Sequence, residues 1–320
     1  MALLVAVASG CTAAEPTAAP PPAPAPAVPP VVDPARVGAD ELGVVPVLMY
    51  HQLLAAPTGE YDQTPAEFRD ELERLYREGY RPVTAADYIS GAIDIPAGTH
   101  PVVLTFDDST TSQVAFGPDG KPLPDSVIGI LEEFRIRYPD FGPTGTFYVN
   151  NEPFGGDPRA LPWLTANGYE IGAHTATHAN LGRLDGAGVQ REFAENVRAI
   201  QAADPGNPVR TMALPLGVAP AERALASAGL WDGIAYRFDA IMLVGAEPAP
   251  SPYARLDPAA IPRIRSGKGE VPFDSAYWLD RLAADPGLRY TSDGRADTIS
   301  FPLAGTPELS ARWTAQAKPY

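Results

Sequence analysis

Val102-Val103-Leu104-Thr105-Phe106-Asp107-Asp108 is an apolar, β-branched run of strand length that ends in two adjacent carboxylates. Successive side chains on a strand point to opposite faces, so two acids in a row rarely serve one structural purpose. Where a chain turns out of a sheet, both can be aimed into one cleft. In α/β folds ligands gather beyond the carboxyl ends of the strands. The stretch alone fits equally a helix N-cap followed by a first-turn acid. What separates the two readings is a second stretch, His174-Thr175-Ala176-Thr177-His178.

Strands and helices alternate on both sides of this run. Residues 44–50 read as a first buried strand ending at His51. Thr64-Pro65-Ala66-Glu67 is a capping box with Pro at the first helical position. Phe68, Leu72, Leu75 and Tyr76 then share one face of a helix that stops at Gly79. Residues 80–83 form a short strand, and Thr84 starts a short helix. After the acid pair, residues 109–125 are rich in Gly, Pro and Ser and read as a long loop overhanging it. A helix over 126–137, a strand over 144–149, a helix over 158–167 and a strand over 169–173 follow. Val189, Phe193, Val197 and Ile200 mark an amphipathic helix. Residues 209–214 read as a strand, and Pro220 is predicted to open a helix ending at Gly229. Further strands are expected at 234–236, 240–244 and 261–264, and a last large helix over 273–282. This alternation implies parallel strands with helical crossovers. For one domain of this size it predicts a distorted or incomplete (β/α) barrel.

The chain has 320 residues, 45% of them hydrophobic, and a net charge of −15. That balance argues against nucleic acid or an anionic membrane surface as the main partner. A single cysteine, Cys11, excludes an intrachain disulfide. Residues 1–7 are apolar and lead to Ala8-Ser9-Gly10-Cys11, which resembles a bacterial lipobox, although no Lys or Arg precedes the run. The run is far short of the ~20 residues that span a bilayer. Residues 15–34 are almost all Pro and Ala, a composition that packs no core and favours extended polyproline II. The expected organisation is a lipoprotein-type signal over 1–11, a disordered Pro/Ala-rich linker over 12–40, a folded domain over 41–285 and a C-terminal extension of unclear structure over 286–320. The expected location is the bacterial cell surface or another extracytoplasmic site, with membrane contact only through a lipid on Cys11.

His174 and His178 are four residues apart, a spacing that puts both rings on one side of a helical turn or compact loop. The chain has only four His in all. Two His and one Asp make three ligands and leave a position for water, the pattern of a catalytic rather than a structural zinc site.

Together these residues resemble the polysaccharide deacetylase family, carbohydrate esterase family 4. The matching motifs are Thr105-Phe106-Asp107-Asp108 and His174-Thr175-Ala176-Thr177-His178, with Thr144-Gly145-Thr146-Phe147-Tyr148-Val149 and Asn167-Gly168-Tyr169-Glu170-Ile171-Gly172 between them. The resemblance covers roughly residues 44–265. It implies a distorted (β/α) barrel and metal-dependent removal of acetyl groups from an acetylated polysaccharide. It makes Asp107 the catalytic base and Asp108, His174 and His178 the ligands of one divalent metal, with zinc the first choice and cobalt or nickel compatible with the same donors.

Two departures from the family pattern set further expectations. The family's acid is a His in a Leu-x-His motif near the C-terminus, and this chain has no His after His178. Val47-Leu48-Met49-Tyr50-His51 resembles the opening strand of the branch with circularly permuted motifs, which includes poly-N-acetylglucosamine deacetylases. There the acid precedes the Asp pair, so His51 is the candidate. His100 sits at a strand entry, the wrong end for the cleft, and takes no role. The family also pairs its base with an Arg before Pro, where this chain has Ala213 in Met212-Ala213-Leu214-Pro215-Leu216-Gly217. Arg263 in Ile261-Pro262-Arg263-Ile264 is the first substitute and Arg237 the second. Leu214, Pro215 and Leu216 are expected to wall the groove for sugar or acetyl methyl. Trp231 offers a sugar-stacking face, against the commoner core role of a lone Trp. Two alternatives share the fold: an inactive carbohydrate-binding envelope protein, and a metal-dependent amidase or esterase acting on small substrates.

Overall fold

The computed structural model describes Met1 and residues 32–320. Cys11, the lipobox and most of the predicted linker lie outside the described residues. Described chain begins within the predicted linker: Asp33 caps a short helix, α1 (Pro34–Val37), which ends at Gly38 with φ 61°. Ala39 and Asp40 are already buried.

The strands are β1 (Val47–Tyr50), β2 (Tyr80–Val83), β3 (His100–Phe106), β4 (Thr146–Val149), β5 (Glu170–Ala173), β6 (Thr211–Ala213), β7 (Ala228–Trp231), β8 (Ile234–Arg237), β9 (Ala240–Met242), β10 (Ile264–Arg265), β11 (Ile299–Phe301) and β12 (Ala317–Pro319). The longer helices are α2 (Pro65–Arg77), α3 (Ala85–Ser90), α4 (Val127–Arg137), α5 (Ala160–Ala166), α6 (Gly186–Ala203) and α7 (Ser275–Ala284). The main sheet runs β10-β1-β3-β4-β5-β6-β9 with β2 paired to β3, and every pairing in it is parallel. Val103 pairs with both Val47 and Val83, and Thr105 with both Met49 and Thr146. Hence β2 and β4 share one flank of β3, and β1 takes the other. Ile261 bridges Met242 of β9, while Ile264 pairs with Leu48 of β1. The segment 261–265 therefore joins the two edges, and the sheet closes into a distorted (β/α) barrel.

Side-chain parity decides what lies inside. Val102, Leu104 and Phe106 pack outward with Phe68 and Leu72 of α2 and Ile130 of α4, whereas Val103 joins Val47, Tyr148, Met242 and Ile261 in a second cluster within the ring. Each such aliphatic or aromatic burial contributes roughly 1.5–3 kcal/mol. The same parity turns Thr105 and Asp107 inward, on the side of Ile261 and Arg263. The helix over 65–77 is fixed at its start by reciprocal bonds: Glu67 N–H donates to Thr64 Oγ1 at 3.1 Å, and Thr64 N–H donates to Glu67 Oε2 at 2.8 Å.

One predicted element does not form. In place of a helix from Pro220 to Gly229 there is one 3-10 turn, Arg223–Ala226, followed by β7. β7 and β8 are an antiparallel hairpin outside the barrel sheet, closed by Asp232-Gly233 with φ 47° and 75°. Two consecutive left-handed residues make the tight turn that suits the twist of a two-residue hairpin, and Asp-Gly is its commonest chemistry. Alanine-rich helix propensity over 221–228 is a weak preference by comparison.

After α7 the chain returns to the opposite end of the barrel. Tyr290 and Ile299 join the inner cluster beside Val45 and Val47. Thr291 bridges Asp40, and Arg289 bridges Val44. β11 and β12 pair in parallel at the end of the chain.

Candidate active site

The site forms at the carboxyl ends of β1, β3, β5 and β6, with Arg263 entering from just before β10. At the end of β3, Asp107 continues the strand, its N–H donating to Tyr50 O at 2.9 Å. Asp108 and Ser109 then take left-handed backbone, with φ 73° and 49°. That turn carries Asp108 out of the barrel axis toward β5. Left-handed backbone in a non-glycine residue costs of order 1–3 kcal/mol and clusters at functional sites. The His loop shows the same feature, with Thr175 at φ 62° and His178 at φ 58°.

Asp107 is 1% exposed and faces Arg263, which is 0% exposed. The guanidinium donates to both carboxylate oxygens at 2.7 Å, a fork-to-fork pair. Arg263 is itself held by Leu243 O at 2.7 Å and Thr105 Oγ1 at 3.1 Å. Thr105 Oγ1 in turn donates to Leu48 O at 2.8 Å. Burial works against charge on Asp107, but the Arg263 guanidinium outweighs it and holds the carboxyl well below the usual range. Arg263 thus occupies, from the closing strand, the place beside the acid that Ala213 leaves on β6. Arg237 is exposed on the hairpin.

Asp108 Oδ1 lies 3.3 Å from Nε2 of His174 and 3.3 Å from Nε2 of His178. The His174 ring is oriented by Ala213 O, 2.8 Å from Nδ1. With the Nδ1 proton donated there, Nε2 presents its lone pair to the cluster. The loop carrying both rings is pinned from α6 and β4. Glu192 accepts from Thr177 N–H and Oγ1, both at 2.9 Å. Asn196 Oδ1 accepts from His174 N–H at 3.1 Å, and Asn150 Nδ2 donates to the His174 and Thr175 carbonyls at 2.6 and 2.9 Å.

These three side chains suit a divalent cation. Asp108, His174 and His178 each offer a donor atom within 4.8 Å of the others. Asp108 Oδ1 is buried with no hydrogen-bond partner among the described residues. Its separation from both nitrogens matches the edge of a tetrahedron with ligand bonds of about 2.0–2.1 Å, roughly 3.3 Å. Burial, joined by the His174 charge, lowers the pKa of His178, which favours the neutral, ligating form.

His51 lies at the end of β1, its ring 4.9 Å from that of Tyr61 and its buried Nδ1 without a partner. Burial lowers its pKa, opposed in part by the charges of Asp107 and Asp108. Gln113, in the loop over 109–125, donates from one amide nitrogen to His51 O at 2.6 Å and to Asp107 O, tying the two strand ends together. Leu214 and Pro215 are buried at the end of β6, and Leu216 (φ 57°) is 59% exposed. Trp231 is half-buried against the core from the hairpin. His100 sits at the far end of β3, with Nδ1 2.8 Å from Tyr290 O.

Sequence reasoning missed Gln113, Asn150, Glu192 and Asn196. For the α6 pair a signal existed. Glu192 and Asn196 fall on the same helical stripe as Val189, Phe193 and Ile200, and both are buried. Polar residues one turn apart on a core-facing stripe need a partner inside. Gln113 carried no such signal.

Residues 94–230 match the family described as Polysaccharide deacetylase. The matched stretch holds Asp107, Asp108, His174 and His178; His51 and Arg263 lie outside it. The chain is 33% identical over 122 residues to a chitooligosaccharide deacetylase of Bradyrhizobium sp. (strain ANU 289), covering 38% of this chain and 48% of that protein. It is 30% identical over 132 residues to one of Sinorhizobium fredii, covering 41% of this chain and 54% of that protein. The matches thus span about half the length of these relatives. Among solved structures, a polysaccharide deacetylase from Bacillus cereus superposes with a TM-score of 0.56 at 17% identity, over 75% of this chain and 68% of that one. A Streptococcus pyogenes deacetylase in complex with acetate gives 0.53 at 16% identity, over 70% and 92%. At such identities the likeness establishes the fold. Residues 94–230 are thus similar to a polysaccharide deacetylase domain, and the described chain folds as a distorted (β/α) barrel.

Proposed function

We propose that this protein hydrolyses the N-acetyl amide of sugars in an acetylated polysaccharide, releasing acetate and leaving the free amine. The observation that carries the reading is the buried Asp107–Arg263 pair standing beside Asp108, His174 and His178 at one end of the barrel. The names of the rhizobial relatives support N-acetylglucosamine oligomers as the first substrates to try.

Asp108, His174 and His178 are proposed to hold one divalent metal, zinc or, with the same donors, cobalt or nickel. When bound, such an ion polarises a carbonyl and makes water more acidic. Asp107 accepts the proton of the attacking water; each of its oxygens keeps a lone pair beyond the one given to Arg263. Arg263 keeps that carboxylate ionised and oriented without touching substrate. His51 delivers a proton to the departing amine nitrogen. Leu214, Pro215 and Leu216 line the groove beside the acetyl methyl or sugar.

Purified protein is expected to contain about one divalent metal per chain and to release acetate from N-acetylglucosamine oligomers. Metal retained with no acetate from any acetylated glycan would instead favour a carbohydrate-binding role for the same fold. Release from small acetylated amides or esters but not from glycans would favour an amidase or esterase. The reading extends to a lipid-anchored place at the cell surface through Cys11. Incorporation of labelled fatty acid that persists in Cys11→Ala would refute that anchor.

A further inference from the structure

A second cleft, of about 740 Å³, opens between α2, the 57–63 loop and residues 266–279. Its volume falls in the usual range for a ligand site. Its wall is strongly acidic, with seven carboxylates against two cations, Arg74 and Lys268. Both cations are already engaged: Lys268 with Glu67 at 2.6 Å, Arg74 with Glu78 and Asp280 at 2.7 Å. An acidic wall alone would mean little. In its lining, however, Gln63 and Ser266 are 7% and 2% exposed, and Gln63 Oε1 and Ser266 Oγ have no hydrogen-bond partner among the described residues. Glu71 gives one carboxylate oxygen to the Ser275 hydroxyl; its buried Oε2 makes no hydrogen bond among the described residues, although the Tyr50 hydroxyl and the Gln63 side chain also face this carboxylate. Buried polar atoms are nearly always satisfied, so Gln63 Oε1 and Ser266 Oγ, beside a Glu71 carboxylate with acceptor capacity to spare, leave room in one cleft for a donor from outside. Burial pushes the Glu71 carboxyl upward, a cost that a cation seated against it removes.

The cleft adjoins the active site. Gln63 is paired to the strand end next to His51, its N–H donating to Gln52 O at 3.0 Å. Arg265, two residues after Arg263, bonds Glu60 at 2.7 Å and covers the Tyr61 ring at 5.1 Å, and Tyr61 packs on His51. A sugar chain with one residue at the metal ligands and a neighbour in this cleft would run past His51.

We propose that this cleft is a subsite for an amino sugar that has already lost its acetyl group, its ammonium donating to Glu71, Gln63 and Ser266. The ammonium offers three N–H donors and a positive charge, matching three acceptors in a negative wall. The inference rests on the deacetylase reading, because that reaction produces the free amine. It makes the preferred substrate a partially deacetylated chain.

Calorimetric binding of a fully deacetylated glucosamine tetramer and of the N-acetylglucosamine tetramer to the full chain tests the idea. Wild type is expected to bind the amine form more tightly. Glu71→Gln should weaken amine binding by about tenfold and leave the acetylated tetramer unchanged. Asp70→Asn, on the exposed rim, should weaken it less and decides the matter should Glu71→Gln fail to fold. Equal affinity for the two tetramers in wild type overturns the subsite and leaves internal water as the partner of these oxygens. So does amine binding that neither variant alters. Acetate release is scored separately. Glu71-dependent amine binding with no release from any glycan sustains the subsite while refuting the deacetylase reading. Release without any amine preference does the reverse.

Discussion

Arg263 grips Asp107 through two parallel hydrogen bonds of 2.7 Å, with Arg263 0% and Asp107 1% exposed. Folded, the carboxyl is held below its ordinary range, so the pair contributes stability above the unfolded value of about 3.8 that fades as pH falls through the folded value. Arg263→Ala leaves a buried charge unpaired, an error worth roughly 3–5 kcal/mol. Denaturant unfolding at pH 7 should show that loss, and the acid limb of the kcat/KM profile should move to higher pH as Asp107 becomes easier to protonate. An unmoved acid limb would mean that another group sets the Asp107 carboxyl. Arg263→Lys keeps the charge without the fork and should fall between the two.

The metal cluster makes a separate prediction. Removing Asp108 takes away the oxygen that stands 3.3 Å from both imidazole nitrogens. Asp108→Ala should lose bound metal on dialysis. In wild type, saturating zinc should raise unfolding free energy by about 2.7 kcal/mol at a hundredfold excess over Kd, and the variant should not respond. Equal stabilisation of both proteins would place the metal elsewhere.

How much of this was legible beforehand depended on the range of the pattern. Asp107-Asp108 and His174 to His178 are readable because each group is local, a strand end or a four-residue step. Arg263 was readable only as a charge on a late strand, since its partner lies 156 residues away. Pairing of that kind is decided by barrel closure, which no local pattern encodes. The hairpin at Asp232-Gly233 was legible but outweighed by an alanine-rich stretch, whose propensity tertiary context readily overrides. Gln113 was not legible at all, since a lone Gln in a Gly/Pro/Ser-rich loop carries no period and no motif.

His51 tests the acid step. Its ring sits near the Asp107 and Asp108 charges, and its Nδ1 has no partner among the described residues. His51→Ala should cut turnover by roughly 10²–10⁴-fold, the usual worth of a positioned acid. Metal content, read by elemental analysis, should stay at the wild-type level. Turnover equal to wild type would remove His51 from the mechanism.

Far from the site, Glu41 is 1% exposed beneath the C-terminal segment. It accepts from Ser300 N–H at 2.7 Å and Tyr290 Oη–H at 3.0 Å. Burial, reinforced by the charge of Asp293, pushes its pKa up to about 8. Between the unfolded value of 4.5 and that figure the folded state binds more protons, so this residue makes stability fall as pH rises. Tm measured from pH 5 to 8 should therefore decline less steeply in Glu41→Gln than in wild type. Parallel curves would show that Glu41 stays ionised when buried.

The His loop depends on a residue that never meets the metal. Glu192 holds both the N–H and the hydroxyl of Thr177, the residue just before His178, while His178 itself adopts a left-handed backbone. Without that anchor the loop can relax toward ordinary backbone, and the His178 ring then leaves the position it shares with His174. Glu192→Ala should cost about 1–3 kcal/mol from the orphaned donors. It should also weaken metal binding by roughly 10–100-fold, as loss of a partner behind the ligands does elsewhere. Competition titration with a zinc chelator reads the second effect independently of activity. Wild-type affinity in a destabilised Glu192→Ala would show that the loop is shaped by Asn196 and Asn150 alone, and the double variant Glu192→Ala/Asn196→Ala would then have to carry the whole loss.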